Sequence, residues 1–285
     1  MRPARSDAPG RRVLSVVSGR TPGDSRVAGA SSESPGVVDT PAMTTVAATA
    51  AEAPAAPGFS VTEVRGVVRD TRELTRGVNS VLESDLDALL DTQRFKGARV
   101  LEIGPKGGYH SRWIDRTLHP SALVMVELPQ KRIYADEWRH ELACPHEFIF
   151  ESVFTSRRLA SMEPFDLVFC TGVLYHTVEH FKLLNLLRRA TRPPPGGGLM
   201  VFQSSVDLTH AEPVILLKWT DPAQTGSYAH PSKAALFMML EMTGWGRVLH
   251  YTDYRPGANA VLLTCEPAPR APLAYDGVPF GGSQT

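Results

Sequence analysis

Residues Val100-Leu101-Glu102-Ile103-Gly104-Pro105-Lys106-Gly107-Gly108-Tyr109-His110 decide how this chain is read. An apolar run ends in a carboxylate, breaks into a glycine-rich turn and resumes as a helix-compatible segment. Such a strand-turn-helix brings bare backbone N–H groups and a helix N-terminus up to a bound ligand. Alone it is a weak nucleotide-site signal, and it gains weight from a second strand end downstream. That second apolar run, Leu123-Val124-Met125-Val126, ends in Glu127. Glu127 lies about 20 residues beyond the turn, where an acidic residue grips ribose hydroxyls. Two acceptor oxygens suit two vicinal hydroxyls; the alternative is a solvated strand end.

Outward from this stretch the pattern alternates. Strand-like runs fall at 98–103, 122–127, 147–151, 166–171 and 198–203, with helix-like segments at about 109–117, 130–139 and 178–191. Phe181, Leu184 and Leu187, with Leu183 and Leu186 beside them, give the last helix its buried stripe. Strands alternating with helices predict βαβ units and a parallel sheet, with ligands at the carboxyl ends of the strands. A further helix starts at Pro231 or Ser232 and stops at Gly244. Strands at 247–252 and 260–265 come next, with Pro256-Gly257 as a hairpin-like signal between them.

The flanks differ in composition. Residues 1–58 are rich in Ala, Pro, Ser, Gly and Thr and read as a disordered tail; a start at Met43 is an alternative for the first 42. Residues 59–94 read as a helical extension, carried by Val81, Leu82, Leu86, Leu89 and Leu90. The domain proper is expected over 95–267 and a flexible tail over 268–285. Charge is balanced, with 30 Lys+Arg against 30 Asp+Glu, so no overall field draws the chain to nucleic acid or an anionic membrane. Cys144, Cys170 and Cys265 form no disulfide or zinc pattern and suit a reducing cytoplasm. No apolar run approaches the roughly 18 residues of a membrane span.

Two more segments bear on the site. Glu151-Ser152 comes after the third strand, where a polar side chain can meet an adenine edge or belong to an ordinary loop. Then Phe165-Asp166-Leu167-Val168-Phe169-Cys170-Thr171 leads into Gly172-Val173-Leu174-Tyr175-His176. This resembles the fourth-strand motif of class I S-adenosylmethionine (SAM)-dependent methyltransferases. Pro195-Gly196-Gly197-Gly198 is similar to that family's turn before the fifth strand, and the likeness covers about residues 95–266. Gly172–His176, Gly108-Tyr109-His110 and Pro231-Ser232-Lys233-Ala234-Ala235-Leu236 ahead of Gly244-Trp245 are most similar to the tRNA wobble-uridine carboxymethyltransferase branch. Lys106 departs from the pattern, standing where the superfamily usually has glycine; it pairs with a cofactor carboxylate or points outward.

The resemblance implies an α/β, Rossmann-like class I methyltransferase fold: a seven-stranded, mostly parallel sheet with an antiparallel last strand. It implies SAM as cofactor. Glu102, Gly104, Gly107 and Gly108 would surround the methionine portion and Glu127 the ribose. Glu151 and Ser152 would approach the adenine, with Cys170 and Thr171 beside the sulfonium. His176 is the candidate general base, or else a structural residue capping the next helix, and Tyr175 is a pocket wall. His176-Thr177-Val178-Glu179-His180 also reads as an inverted zinc-protease pattern, but it falls at a strand end rather than on a helix. Residues 204–230 are the expected acceptor region, with Tyr175, His210, Trp219 and Tyr228 as candidate contacts and Glu212, Lys218 and His230 nearby. The expected reaction is methyl transfer to a small-molecule acceptor, at oxygen. The alternatives are tRNA wobble-base modification and a catalytically inactive SAM-binding partner subunit, for which Lys106 is the motive.

Overall fold

The computed structural model describes residues 59–65, 83–217, 228–252 and 259–269, all within the unit Ala53–Thr285. Residues 1–58 and Pro256-Gly257 lie outside the described residues. In chain order the elements are β1 Ser60–Arg65, α1 Glu83–Leu89, β2 Arg99–Ile103, α2 Tyr109–Leu118, β3 Ala122–Glu127, α3 Arg132–Trp138 and β4 His146–Phe150. They continue as α4 Arg157–Ala160, β5 Leu167–Thr171, α5 His180–Ala190, β6 Leu199–Ser205, β7 Ile215–Leu217, β8 Ala229–Pro231, α6 Lys233–Met242, β9 Trp245–Thr252 and β10 Ala260–Pro267.

Eight strands form one sheet in the order β1-β9-β10-β6-β5-β2-β3-β4, and β7 and β8 form a separate antiparallel pair. β10 runs antiparallel to both its neighbours, and every other pairing in the main sheet is parallel. From β2 the chain steps outward to β3 and β4, then returns to lay β5 on the other side of β2. That reversal opens a crevice at the carboxyl ends of β2 and β5.

The strands read as apolar runs because both faces of the sheet are covered. Their side chains alternate between two cores. Leu101, Ile103, Val124, Val126, Val168, Met200 and Phe202 pack on one face with Leu183, Leu184 and Leu187 of α5 and Leu236 of α6. Val100, Leu123, Met125, Leu167, Phe169, Leu199 and Val201 pack on the other with Leu86 of α1, Trp113 and Ile114 of α2 and Trp138 of α3. Ser232 caps α6, its hydroxyl accepting the Ala235 N–H at 3.1 Å, as its place before the apolar stripe predicts.

Two expectations need correction. The sheet has eight strands rather than seven, because Ser60–Arg65 is a strand and not the start of a helical extension. Val61, Thr62 and Val64 are β-branched, and the segment covers the otherwise open edge of β9 in parallel register, Ser60 opposite Arg247. Ala268, read as the first residue of a loose tail, is buried; its N–H donates to the Gly244 carbonyl and its own carbonyl accepts from Arg188. Among the described residues no helix is long and apolar enough to cross a membrane.

Candidate active site

Strand parity builds the site. Glu102 shares the face of Val100, Glu127 that of Met125, Thr171 that of Phe169 and Gln203 that of Val201, all at the carboxyl ends of neighbouring strands. Glu102 is 1% exposed and accepts a hydrogen bond from Ser111 Oγ at 2.5 Å. Burial pushes its carboxyl up to about 7, against the Ser111 bond and with the help of the Glu127 charge. The His110 ring stands 4.0 Å from its other oxygen, and His110 Nδ1 lies 3.0 Å from Thr171 Oγ1. α2 is thereby tied to the ends of β2 and β5.

The glycine turn is braced from β3. Glu127 accepts the N–H of Lys106 at 3.1 Å on one oxygen and that of Leu128 at 2.8 Å on the other. Gly108 adopts φ +69°, and a Cβ there would fall 2.2 Å from the Trp138 ring, so no larger residue fits. The Trp138 indole N–H donates to the Lys106 carbonyl at 2.9 Å. Gly104, at φ +71°, is crowded by Val173, while a Cβ on Gly107 would meet nothing within 4 Å. Lys106 takes φ +44°, the left-handed region that favours glycine, with an exposed side chain. It adopts the glycine-like conformation without closing the turn.

The remaining candidates divide. Cys170 is wholly buried in the opposite core with Val168, on the other parity from Thr171, so its side chain does not line the crevice; burial pushes its thiol far up. Ser152 lies just past β4 with its hydroxyl accepting the Phe154 N–H in a turn, and Glu151 is exposed beside it. Tyr175 is 7% exposed, and His176 is exposed and tilted against it with ring centroids 4.3 Å apart. The Tyr228 N–H donates to the Tyr175 carbonyl at 2.8 Å. His210 lies 2.5 Å from Asp207, whose carboxyl is lowered to about 2 by its hydrogen bonds to Thr209 first and to His210 second. Trp219 and Lys218 lie outside the described residues.

His180 opens α5 while His176 closes the preceding single turn, so the two do not share a helix. No group of His, Cys, Asp and Glu suited to a metal occurs among the described residues. Ser111, Trp138 and Gln203 stand at the candidate site, and the sequence does not mark them plainly. Parity along β6 points to Gln203, but nothing local marks Ser111 or Trp138, whose roles arise only when α2 and α3 pack.

The acceptor oxygens of Glu102 and Glu127 suit a ligand with a cationic end and a vicinal diol. A methyltransferase domain family matches residues 74–248 of the chain. The chain is 30% identical over 163 residues to a tRNA U34 carboxymethyltransferase of Chromohalobacter salexigens, covering 53% of this chain and 45% of that protein. It therefore spans less than half the length of that relative. Among solved structures, it is similar to a SAM-dependent methyltransferase from Mesorhizobium loti (16% identity, TM-score 0.47, 64% of this chain and 96% of that one). It is also similar to an O-methyltransferase family protein from Burkholderia thailandensis (15% identity, TM-score 0.49, 65% of this chain and 55% of that one).

Proposed function

The chain belongs to the methyltransferase domain family, whose cofactor is SAM, and from that premise we propose that it transfers a methyl group to an oxygen of a small-molecule acceptor. The small acceptor is favoured by the balance of 30 basic and 30 acidic side chains. The cofactor part of the reading is carried by the pair of carboxylates, Glu102 and Glu127, ending adjacent strands on either side of the glycine turn. The fit to SAM rests on the same groups. A buried carboxylate pushed up to about 7 is completed by a cationic amino group. Gly107 leaves open space where a side chain would stand.

In this reading Glu102, Gly104, Gly107 and Gly108 hold the methionine portion, Glu127 the ribose, and Glu151 with Ser152 the adenine side. Thr171 lies beside the sulfonium, without the side chain of Cys170. The bound cofactor supplies an electrophilic methyl carbon. The protein's part is alignment, worth about 7–11 kcal/mol in favourable cases. His176 accepts the acceptor's hydroxyl proton, an assistance of roughly 10²–10⁴-fold. Three unpaired cysteines suit work in a reducing cytoplasm.

A second reading, modification of a tRNA wobble base, is favoured by the name of the 30%-identical relative. Lys106 gives little ground for an inactive subunit, since its backbone N–H still reaches Glu127 and its side chain is exposed.

Calorimetric titration with S-adenosylhomocysteine tests the proposal. Binding near one site per chain is expected. Glu127→Ala should weaken it by roughly ten- to a hundredfold, the effect of losing hydrogen bonds to a charged group. Unchanged affinity in that variant removes the ribose assignment, and no binding by folded wild-type protein removes the methyltransferase reading.

A further inference from the structure

We infer that Gln203 orients the acceptor, its side-chain oxygen accepting a hydrogen bond from an acceptor hydroxyl. The inference rests on the methyltransferase reading and specifies the acceptor's chemistry as a neutral alcohol or phenol.

Gln203 continues the parity of Leu199 and Val201, which are buried on the face that carries Glu102, Glu127 and Thr171. It stands opposite Thr171 in register, and its backbone carbonyl accepts the Gly172 N–H at 2.9 Å. The residue is 6% exposed, yet Oε1 accepts no hydrogen bond among the described residues. A buried carbonyl without a donor costs about 1–3 kcal/mol. A donor that arrives with the acceptor accounts for keeping one here.

That oxygen lies over Gly172. A Cβ on Gly172 would lie 3.7 Å from Gln203 Oε1 and 3.4 Å from the Tyr175 hydroxyl. Two polar oxygens thus converge over bare backbone, one residue past Thr171. The φ of +77° keeps glycine at this place, so no side chain stands between them. Behind Tyr175 the His230 ring lies nearly parallel, 6.0 Å between centroids at 12°, with Nδ1 3.0 Å from Ser205 Oγ. Neither the Gln203 amide nor the Ser205 hydroxyl carries charge. Because a carbonyl oxygen only accepts, Gln203 Oε1 itself favours a hydroxyl donor over an ionised carboxylate or phosphate.

The test uses matched probes that differ only in the donor: phenol against anisole, and cyclohexanol against methoxycyclohexane. Affinities are read by saturation-transfer NMR on the full chain, alone and saturated with S-adenosylhomocysteine. The wild type should prefer the hydroxyl member of at least one pair by about fivefold, one hydrogen bond's worth. Gln203→Met, similar in length but with no carbonyl, should erase the preference while S-adenosylhomocysteine still binds. Gln203→Glu, which keeps acceptor oxygens, should retain it. A preference that survives in Gln203→Met, or none in the wild type, overturns the inference. If Gln203→Met does not fold, Gln203→Leu takes its place, with the same loss of preference expected and the same survival of preference overturning the inference. Wild-type protein that keeps the preference but fails to bind S-adenosylhomocysteine would sink the methyltransferase reading and leave the hydroxyl subsite standing.

Discussion

At the scale of the residue, Glu102 is poised between two charge states. Buried at the end of β2, it has a carboxyl raised to about 7, while in an unfolded chain it would titrate near 4.5. Ser111 stabilises the ionised form with one hydrogen bond, and burial outweighs it. A cationic amino group beside Glu102 would shift the balance back toward the carboxylate. Cofactor binding is therefore expected to release a proton, roughly half per site at pH 7 and approaching one about a unit lower. Titrating S-adenosylhomocysteine in buffers of different ionisation enthalpy measures this directly. The apparent binding enthalpy should vary with the buffer in the wild type, while Glu102→Gln should remove the variation and weaken binding about tenfold or more. A wild-type enthalpy independent of buffer at pH 6.5 would show that Glu102 does not meet the cation.

At the scale of the element, the layer formed by β1, β9 and α6 contains a second buried titrating group of opposite sign. His250 of β9 is 2% exposed, with the Phe237 ring of α6 edge-on at 5.1 Å. Burial lowers its pKa to about 4, the nearby Lys233 charge adds to this, and Glu63 of β1, 3.7 Å away, opposes it. An unfolded histidine titrates near 6.5, so the unfolded chain takes up its proton first as pH falls. The His250 contribution to stability is thus complete above about 6.5 and lost as pH drops toward about 4. Glu102 runs the other way: its contribution is complete below about 4.5 and lost as pH rises through about 7. The two slopes oppose each other where the windows overlap. Urea midpoints across this range should rise with pH in Glu102→Gln and fall in His250→Leu, with the wild type between them. Equal slopes in all three proteins would refute the assignment.

The same elements show what was legible beforehand. The central strands could be read because burial on both faces makes them continuous apolar runs, and the glycine turn because its conformations exclude most other residues. β1 could not, since its partner β9 lies far along the chain and an exposed edge strand has little apolar signature. Glu102 and Glu127 stood out as carboxylates ending apolar runs. Cys170 was misplaced because adjacent strand residues face opposite ways, a rule that separates it from Thr171. Ser111 and Trp138 acquire their roles only through helix packing, which no local pattern records.

At the scale of the whole molecule, charge balance separates the two acceptor readings. The chain carries 30 basic and 30 acidic side chains, so any grip on a polyanion must come from a local patch rather than from an overall field. A protein making 6–10 phosphate contacts loses roughly 10³–10⁵ in affinity between 50 and 200 mM salt, because each contact releases counterions. A small neutral acceptor releases none. Bulk tRNA titrated into the S-adenosylhomocysteine complex over that salt range is therefore expected to bind weakly, with little salt dependence, while cofactor affinity stays constant. A steep decline from tight binding at low salt would transfer the proposed function to the wobble base. The carboxylate pair would keep its assignment, because Glu102 and Glu127 serve the cofactor under either reading and only the acceptor side, around Tyr175 and Gln203, would have to be reassigned.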